Sequence, residues 1–466
     1  MTLAPAVLAL MLGLWGTSRL SFWRDEGVTA SVVRRTVPEI FHFLGNLDAV
    51  HGTYYLLLHP LAAVFGTSEL VLRLPSALAT AAAAAGVTAL GHRLLSPQTG
   101  LAAGFIYAVA PYASHFALEA RPYAMATALT VLATLLFVRT AEQDGKGRYA
   151  LYGCVLVVLG MIHLFALLVL PAHLATLLLQ RRWTHVRWWF VTVSIAIAVL
   201  SPLIAVSASQ RAQVGWLTRP GLDDVAALVL VFAGSWPLAL LMGAVVATGS
   251  VLARREQAQA SMLLPLVVPW LVLPPAALLL LSQVHPLYSA RYVSMSLPAL
   301  ALLVAAGMTR FPPSIRLVSL LTVAVLAVPA HVSQRQPDRR PDHLREAATI
   351  LSRHASPGDV IVYLPTNRRA VAGAYPDGFR QLRDVTMLVS PAQAGNLGGV
   401  EVDPGEIRRR LKEKSVARAW LLEGEEPWRG PTLDMLNRAK VETLEQEFHQ
   451  IRRWQVRSLT LTLYTR

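Results

Sequence analysis

The feature that most constrains this chain is a series of apolar runs that recurs from the first residues to about position 330. The runs cover residues 3–18, 74–90, 101–116, 123–138, 149–162, 164–179, 188–206, 225–252, 262–281, 292–307 and 315–329. Several approach the ~20 residues that a helix needs to cross the hydrocarbon of a bilayer. A helix satisfies its own backbone groups in lipid, so runs of this length and polarity read as spans. The count is eleven. Run 225–252 is long and is interrupted by Gly234-Ser235-Trp236-Pro237, which predicts a kinked helix or two helices. Run 54–65 is short and follows a polar loop, so it reads as an interfacial segment and not a span. The first run has no basic leader and no convincing small-residue cleavage site, and reads as a retained helix.

Charge divides the chain at the same place. Residues 1–330 hold 20 Lys/Arg and 11 Asp/Glu, whereas residues 331–466 hold 22 and 17. The first part therefore reads as a transmembrane module, and the second as a soluble domain. The formal net charge of +14 does not indicate nucleic-acid binding. About half the basic residues sit in short gaps between apolar runs, which is the pattern of membrane topology. With the N-terminus cytoplasmic, the inner gaps carry 11 Lys/Arg and the outer gaps beyond the first loop carry 4, namely Arg121, Arg211, Arg219 and Arg291. The first outer loop, residues 19–73, departs from the rule with Arg19, Arg24, Arg34, Arg35 and Arg73. Eleven spans place the tail outside. The single cysteine, Cys154, excludes an internal disulfide and reads as a small core residue.

The tail reads as a small α/β domain. Strand patterns cover 360–364, 385–389 and 419–422, with a final strand at 458–464. Helical patterns cover 342–355, 407–414 and 432–439. No phosphate-cradling glycine motif is present there.

The chemistry-bearing residues cluster in the outer loops. Phe22-Trp23-Arg24-Asp25-Glu26-Gly27 follows the first run directly, at the membrane–water boundary. An adjacent Asp–Glu pair can supply a general base with an orienting partner or a metal ligand. The same pair also suits a helix start, with Asp25 as cap of a helix over 26–35. Glu119-Ala120-Arg121-Pro122-Tyr123 forms a second outer loop, and Arg121 offers a planar, always-charged fork for phosphate. Ser289-Ala290-Arg291-Tyr292 and the loop 210–216, which ends in Trp216, fall on the same side. So do His42, His51, His59, His115, His163 and His285, whose spacing matches no zinc pattern.

This ordering resembles the multispanning GT-C glycosyltransferases, and most closely the protein O-mannosyltransferases and the lipid A aminoarabinose transferase. The resemblance is carried by Trp23-Arg24-Asp25-Glu26, His51-Gly52-Thr53-Tyr54-Tyr55, Phe65-Gly66-Thr67-Ser68-Glu69, Arg73-Leu74-Pro75-Ser76, Glu119-Ala120-Arg121-Pro122-Tyr123 and Arg291-Tyr292. It covers residues 1 to about 330. It implies about eleven transmembrane helices with an extracytoplasmic α/β tail, and short amphipathic helices in the first loop at 30–43 and 54–65. It also implies transfer of a hexose, mannose being the nearest family guess, from a polyprenyl-phosphate donor to an outer-face acceptor.

Carried onto this sequence, the resemblance makes Asp25 the catalytic acid/base with Glu26 beside it. Arg24, Arg121 and Arg291 become contacts for the donor phosphate. His51, Tyr54, Glu119, Tyr123 and Tyr292 become substrate contacts. No cofactor follows, though the chemistry leaves room for a divalent cation. The partners are the lipid-linked sugar, membrane lipids and an acceptor that the sequence leaves open. The competing reading is a transporter or lipid flippase. That class buries ionisable groups near the bilayer midplane and shows internal repeats. Here the acidic residues 25, 26, 39, 48, 69, 119, 223 and 224 all lie in or beside outer loops.

Overall fold

The computed structural model describes residues 2–142, 146–255, 262–424 and 434–466. The chain forms two compact units whose segments interleave along the sequence. The first unit comprises Met1–Thr17, Ala49–Tyr54 and Arg73–Gln334. The second comprises Ser18–Asp48, Tyr55–Leu72 and Arg335–Arg466.

The first unit is helical. Among the described residues, six helices are long and apolar enough to cross a membrane: Glu69–Leu94, Tyr123–Glu142, Trp183–Ser209, Leu263–Leu281, Ala290–Met308 and Pro313–Gln334. The pair Leu222–Ala233 and Trp236–Leu252, bent by 82°, makes a seventh if it is one broken span. Gly234 causes the bend. It closes the first helix in the left-handed conformation at φ +92, which L side chains adopt only at a steric cost. Against the eleven spans expected, six or seven of the described helices reach full span length. Leu3–Leu14, Gly147–Ile162 and Leu164–Leu179 fall short of full span length. Run 101–116 breaks at Ala110, because Pro111 pushes the residue before it out of the helical region.

Two observations on these helices mark a lipid environment. On Pro313–Gln334, Leu317, Leu321, Val325 and Val328 point outward as an apolar stripe at helical spacing. On Trp183–Ser209, Phe190, Val191, Ile195 and Val199 do the same. Within the bundle, hydroxyls bond back to their own helices, as Thr130 does to the carbonyl of Ala126 at 2.8 Å and Thr140 to that of Leu136 at 2.7 Å. Cys154 is exposed on the helix Lys146–Ile162, not buried as its apolar run suggests. In a membrane helix an apolar run does not distinguish a core face from a lipid face.

The second unit contains a five-stranded sheet. Its strands are β1 Val360–Leu364, β2 Arg383–Asp384, β5 Arg418–Gly424, β6 His449–Val456 and β7 Leu459–Thr465. Their order is β2-β1-β5-β7-β6. β1 runs parallel to both β2 and β5, and β5, β7 and β6 pair antiparallel. All five residues of β1 are buried, as a parallel strand covered on both faces requires. A separate antiparallel pair joins β3 Met387–Val389 to β4 Val400–Glu401. Expected run 385–389 is therefore split between a buried Val385 and the short β3. The expected helix 432–439 is Met435–Glu447, and its first two positions lie outside the described residues.

The first loop contributes three short helices: Arg24–Val33, Val37–Asn46 and Gly52–Phe65. The expected helix 30–43 is thus two. The break comes at Thr36, whose backbone N–H donates to the Glu39 carboxylate at 2.8 Å to start a new helix with Pro38 in its first turn.

Candidate active site

In the first unit, local sequence places two arginines beside two histidines. The short helix Pro111–Ala117 ends, and Pro122 keeps the residue before it out of helix, so Arg121 sits in the turn that precedes Tyr123–Glu142. Its carbonyl accepts a hydrogen bond from the Ser76 hydroxyl at 3.3 Å. Its side chain is buried, and Nη2 donates to Nε2 of His51 at 2.7 Å. Because that ring nitrogen accepts, the His51 proton resides on Nδ1. His51 closes the turn Ala49–His51, which Gln210 fastens by accepting the Ala49 N–H at 2.9 Å.

His163 lies at the break between two apolar helices, in extended conformation. Its ring centroid is 5.5 Å from that of Tyr123 and 5.7 Å from that of Tyr292. Phe165 stacks on Tyr292 at 5.2 Å. Arg291, in the turn Ala290–Ser296, places its guanidinium carbon 5.4 Å from the centre of Tyr292, 5.5 Å from that of Trp216 and 6.0 Å from that of Tyr123.

The histidines report the potential here. Desolvation, then Arg121, His163 and Arg291, hold the His51 imidazole well below its ordinary value. Desolvation, then Arg121 and Arg291, lower His163 to about 4. Both rings are therefore neutral at pH 7, in a positive field maintained by the two guanidiniums. Such a field favours an anion. The aromatic rings supply flat apolar faces around it.

Of the first-unit residues expected from sequence, Arg121, His51, Arg291, Tyr123 and Tyr292 are brought together by these contacts. Glu119 is buried and meets His115 at 3.4 Å. Tyr54 is fully buried at the start of the helix Gly52–Phe65. His163 and Phe165 join the cluster without having been among the candidate site residues. The available signal was a histidine placed between two apolar runs.

In the second unit, the Asp25-Glu26 pair divides its tasks. The helix begins at Arg24, two residues earlier than expected, with Trp23 as its cap position. Glu26 is fully buried and its Oε2 accepts the Trp23 N–H at 3.4 Å. The capping carboxylate is thus Glu26 and not Asp25. Asp25 is half-buried in the first helical turn, and its carbonyl accepts the Thr29 hydroxyl at 3.2 Å. Arg24 exposes its side chain, while its backbone N–H donates to Asp342 at 2.7 Å. Among the described residues, no group of three or more His, Cys, Asp or Glu side chains is arranged to hold a metal ion.

The structure thus combines helices long and apolar enough to cross a membrane with an acidic pair in the first loop and an α/β tail. Residues 52–205 match the family model described as dolichyl-phosphate-mannose-protein mannosyltransferase. The solved structure of ArnT from Cupriavidus metallidurans in the apo state is similar over 99% of this chain and 97% of its own, with a TM-score of 0.65 and 13% identity. The same protein bound to undecaprenyl phosphate is similar over the same shares at 12% identity, with a TM-score of 0.65. The oligosaccharyltransferase of Archaeoglobus fulgidus, in complex with Zn and sulfate, matches 92% of this chain and 68% of its own, with a TM-score of 0.51 and 11% identity. No curated protein matches the sequence.

Proposed function

We propose that this multi-pass membrane protein transfers a sugar from a polyprenyl-phosphate donor to an acceptor at the membrane surface. The observation that carries the reading is the Arg121–His51 pair beside His163 and Arg291, a buried positive site within an apolar helical unit. A lipid phosphate is the anion such a unit is suited to receive. The mannosyltransferase family match over residues 52–205 and the fold shared with ArnT, which has been solved with undecaprenyl phosphate, support the same donor class.

In this reading Asp25 is the general base. It takes the proton of an acceptor hydroxyl as that oxygen attacks the anomeric carbon. The bond from that carbon to the phosphate oxygen breaks, and the phosphate leaves with the electron pair. One displacement inverts the anomeric centre. Arg121 and Arg291 stabilise the negative charge that grows on the leaving phosphate, with Arg24 as a further contact. His51 orients Arg121 by accepting its N–H. Glu26 secures the helix that presents Asp25. Glu119, Tyr54, Tyr123 and Tyr292 shape the surroundings of the donor. A divalent cation would act on the phosphate by the same electrostatic route. A hexose such as mannose is the proposed sugar. The N-terminus is assigned to the cytoplasm, and the tail and site to the outer face. Residues 1–330 are assigned as the transferase module and 331–466 as the outer domain.

The test is incubation of the purified protein with undecaprenyl-phosphate mannose, glucose, galactose and arabinose, each with a membrane extract as acceptor source, read by mass analysis. Product from one donor, lost in Asp25→Asn with membrane expression intact, is the expected result. Absence of product from all four donors, or normal turnover by Asp25→Asn, refutes the assignment.

A further inference from the structure

Within the second unit, the tail holds the backbone immediately before Asp25. Three residues of the tail make the polar side-chain contacts. Asp342 is buried, and its Oδ2 accepts the N–H of Arg24 at 2.7 Å. That N–H is one of the donors a helix start leaves without an intrahelical acceptor. The cap position is Trp23, whose side chain carries no acceptor, so a carboxylate 318 residues away in sequence supplies one. The other oxygen of Asp342 receives the Ser458 hydroxyl.

Arg345 closes on the preceding residues. Its backbone N–H donates to the Ser21 hydroxyl at 2.9 Å, and its Nη2 donates to the Ser18 carbonyl at 2.8 Å. The same guanidinium meets Glu69 at 2.7 Å. Tyr375 completes the clamp. Its hydroxyl accepts the Phe22 N–H at 2.9 Å and donates to Glu69, and its ring lies 5.5 Å from that of Phe22. Desolvation and the Glu69 charge raise the Tyr375 phenol, so it stays protonated and keeps donating.

Packing holds the helix body as closely as these bonds hold its start. A Cβ on Gly27 would stand 2.5 Å from the Leu344 methyl. A Cβ on Gly373 would meet the Ser31 hydroxyl and stand 2.8 Å from the Ser31 Cβ. Gly27 and Ser31 are four residues apart on one face of the Asp25 helix. The helix Arg369–Ala374 therefore approaches it at close to backbone distance, and the Leu344 side chain packs directly on Gly27.

We infer that Asp342, Arg345 and Tyr375 are positioning residues for Asp25, so that the tail domain sets the geometry of the transfer step. This rests on the reading of Asp25 as the base. A proton acceptor displaced by about 1 Å from its substrate hydroxyl loses on the order of 100-fold in rate. The donor phosphate site, built from first-unit residues, is not part of this clamp.

The experiment uses the full-length protein and whichever of the four panel donors gives product. Tyr375→Phe keeps the ring and removes only the hydroxyl. Asp342→Ala removes the acceptor for Arg24, and Asp342→Asn restores one. The expected result is a kcat about 10- to 100-fold lower in Tyr375→Phe and Asp342→Ala, donor KM within about twofold, and kcat recovered in Asp342→Asn. The acid limb of the kcat–pH profile should also move in Asp342→Ala. A residue that only supports folding would lower melting temperature and yield while leaving kcat per folded molecule and the pH limb unchanged. That outcome, or wild-type kcat in both variants, overturns the inference while Asp25→Asn remains inactive. An active Asp25→Asn overturns the base assignment and the inference together. If Asp342→Ala does not fold, Tyr375→Phe alone decides.

Discussion

Replacing Arg121 with methionine tests the donor site most directly. Methionine keeps much of the length and removes the charge. Arg121 is 5% exposed, so little solvent screens whatever it binds. A hydrogen bond between a charged group and its partner is worth about 1.5–3 kcal/mol. Taking about 2 kcal/mol, at 1.36 kcal/mol per decade, donor KM should rise about 30-fold. The acceptor KM should hold. A second readout comes from His163. In the folded protein this ring titrates at about 4, against 6.5 for the unfolded chain. Between those values the unfolded chain binds a proton that the folded one does not. Stability from this group is therefore complete above pH 6.5 and is lost as pH falls towards 4. The gap corresponds to about 3 kcal/mol. Removing Arg121 takes away one cause of the depression but leaves desolvation, so the gap should narrow without closing. Melting temperature followed from pH 7 to 4 should fall less steeply in Arg121→Met than in the parent, with His51, which Arg121 also holds down, shifting the slope in the same direction. An unchanged donor titration together with an unchanged pH slope would refute the reasoning.

Two further outcomes follow from the second unit. A cysteine introduced as Asp377→Cys, in a chain with Cys154 replaced by serine, sits on an exposed turn. It should react with a membrane-impermeant maleimide in intact cells, and labelling only after lysis would reverse the assigned orientation. Lys440 is fully buried with its ammonium 2.6 Å from Glu401, and Arg369 lies 2.8 Å from the same carboxylate. Lys440→Met should cost about 3 kcal/mol, because the buried carboxylate loses one of its two cations. For a unit of this size that lowers the apparent melting temperature of the full chain by about 6 °C or more, and a shift under 2 °C would count against it.

The apolar runs made the membrane class legible, because hydrocarbon imposes both composition and length. They overstated the number of full-length apolar helices among the described residues, because composition continues across a break that one proline or glycine creates. Run 101–116 is uniformly apolar, yet Pro111 divides it. The tail sheet was legible where strands are buried, as in β1. β6, His449–Val456, was missed because its side chains are mostly exposed and it carries Arg452 and Arg453. An edge strand of that kind is paired through its backbone, which side-chain pattern does not record.

The candidate site was legible to different degrees for one physical reason. Arg121, His51 and Arg291 are polar residues at the ends of apolar segments, and burying such a residue is costly unless it has a partner or a task. That cost makes them visible in sequence. His163 is buried as Arg121 is, but it joins two runs so closely that it reads as part of one. The clamp on residues 18–24 was invisible for a further reason. Asp342, Arg345 and Tyr375 are ordinary residues of a soluble domain, and only the fold brings them to Arg24, Ser18 and Phe22. Residues 18–48 and 55–72 belong to the same compact unit as residues 335–466. The first loop, which departs from the positive-inside rule, is where that unit takes up the Asp25 helix. Its arginines are accordingly spent in part on protein contacts: Arg35 donates to the Asn396 carbonyl at 2.7 Å and lies over the Phe43 ring. A charge that topology alone does not explain is, at that position, a residue of the folded second unit.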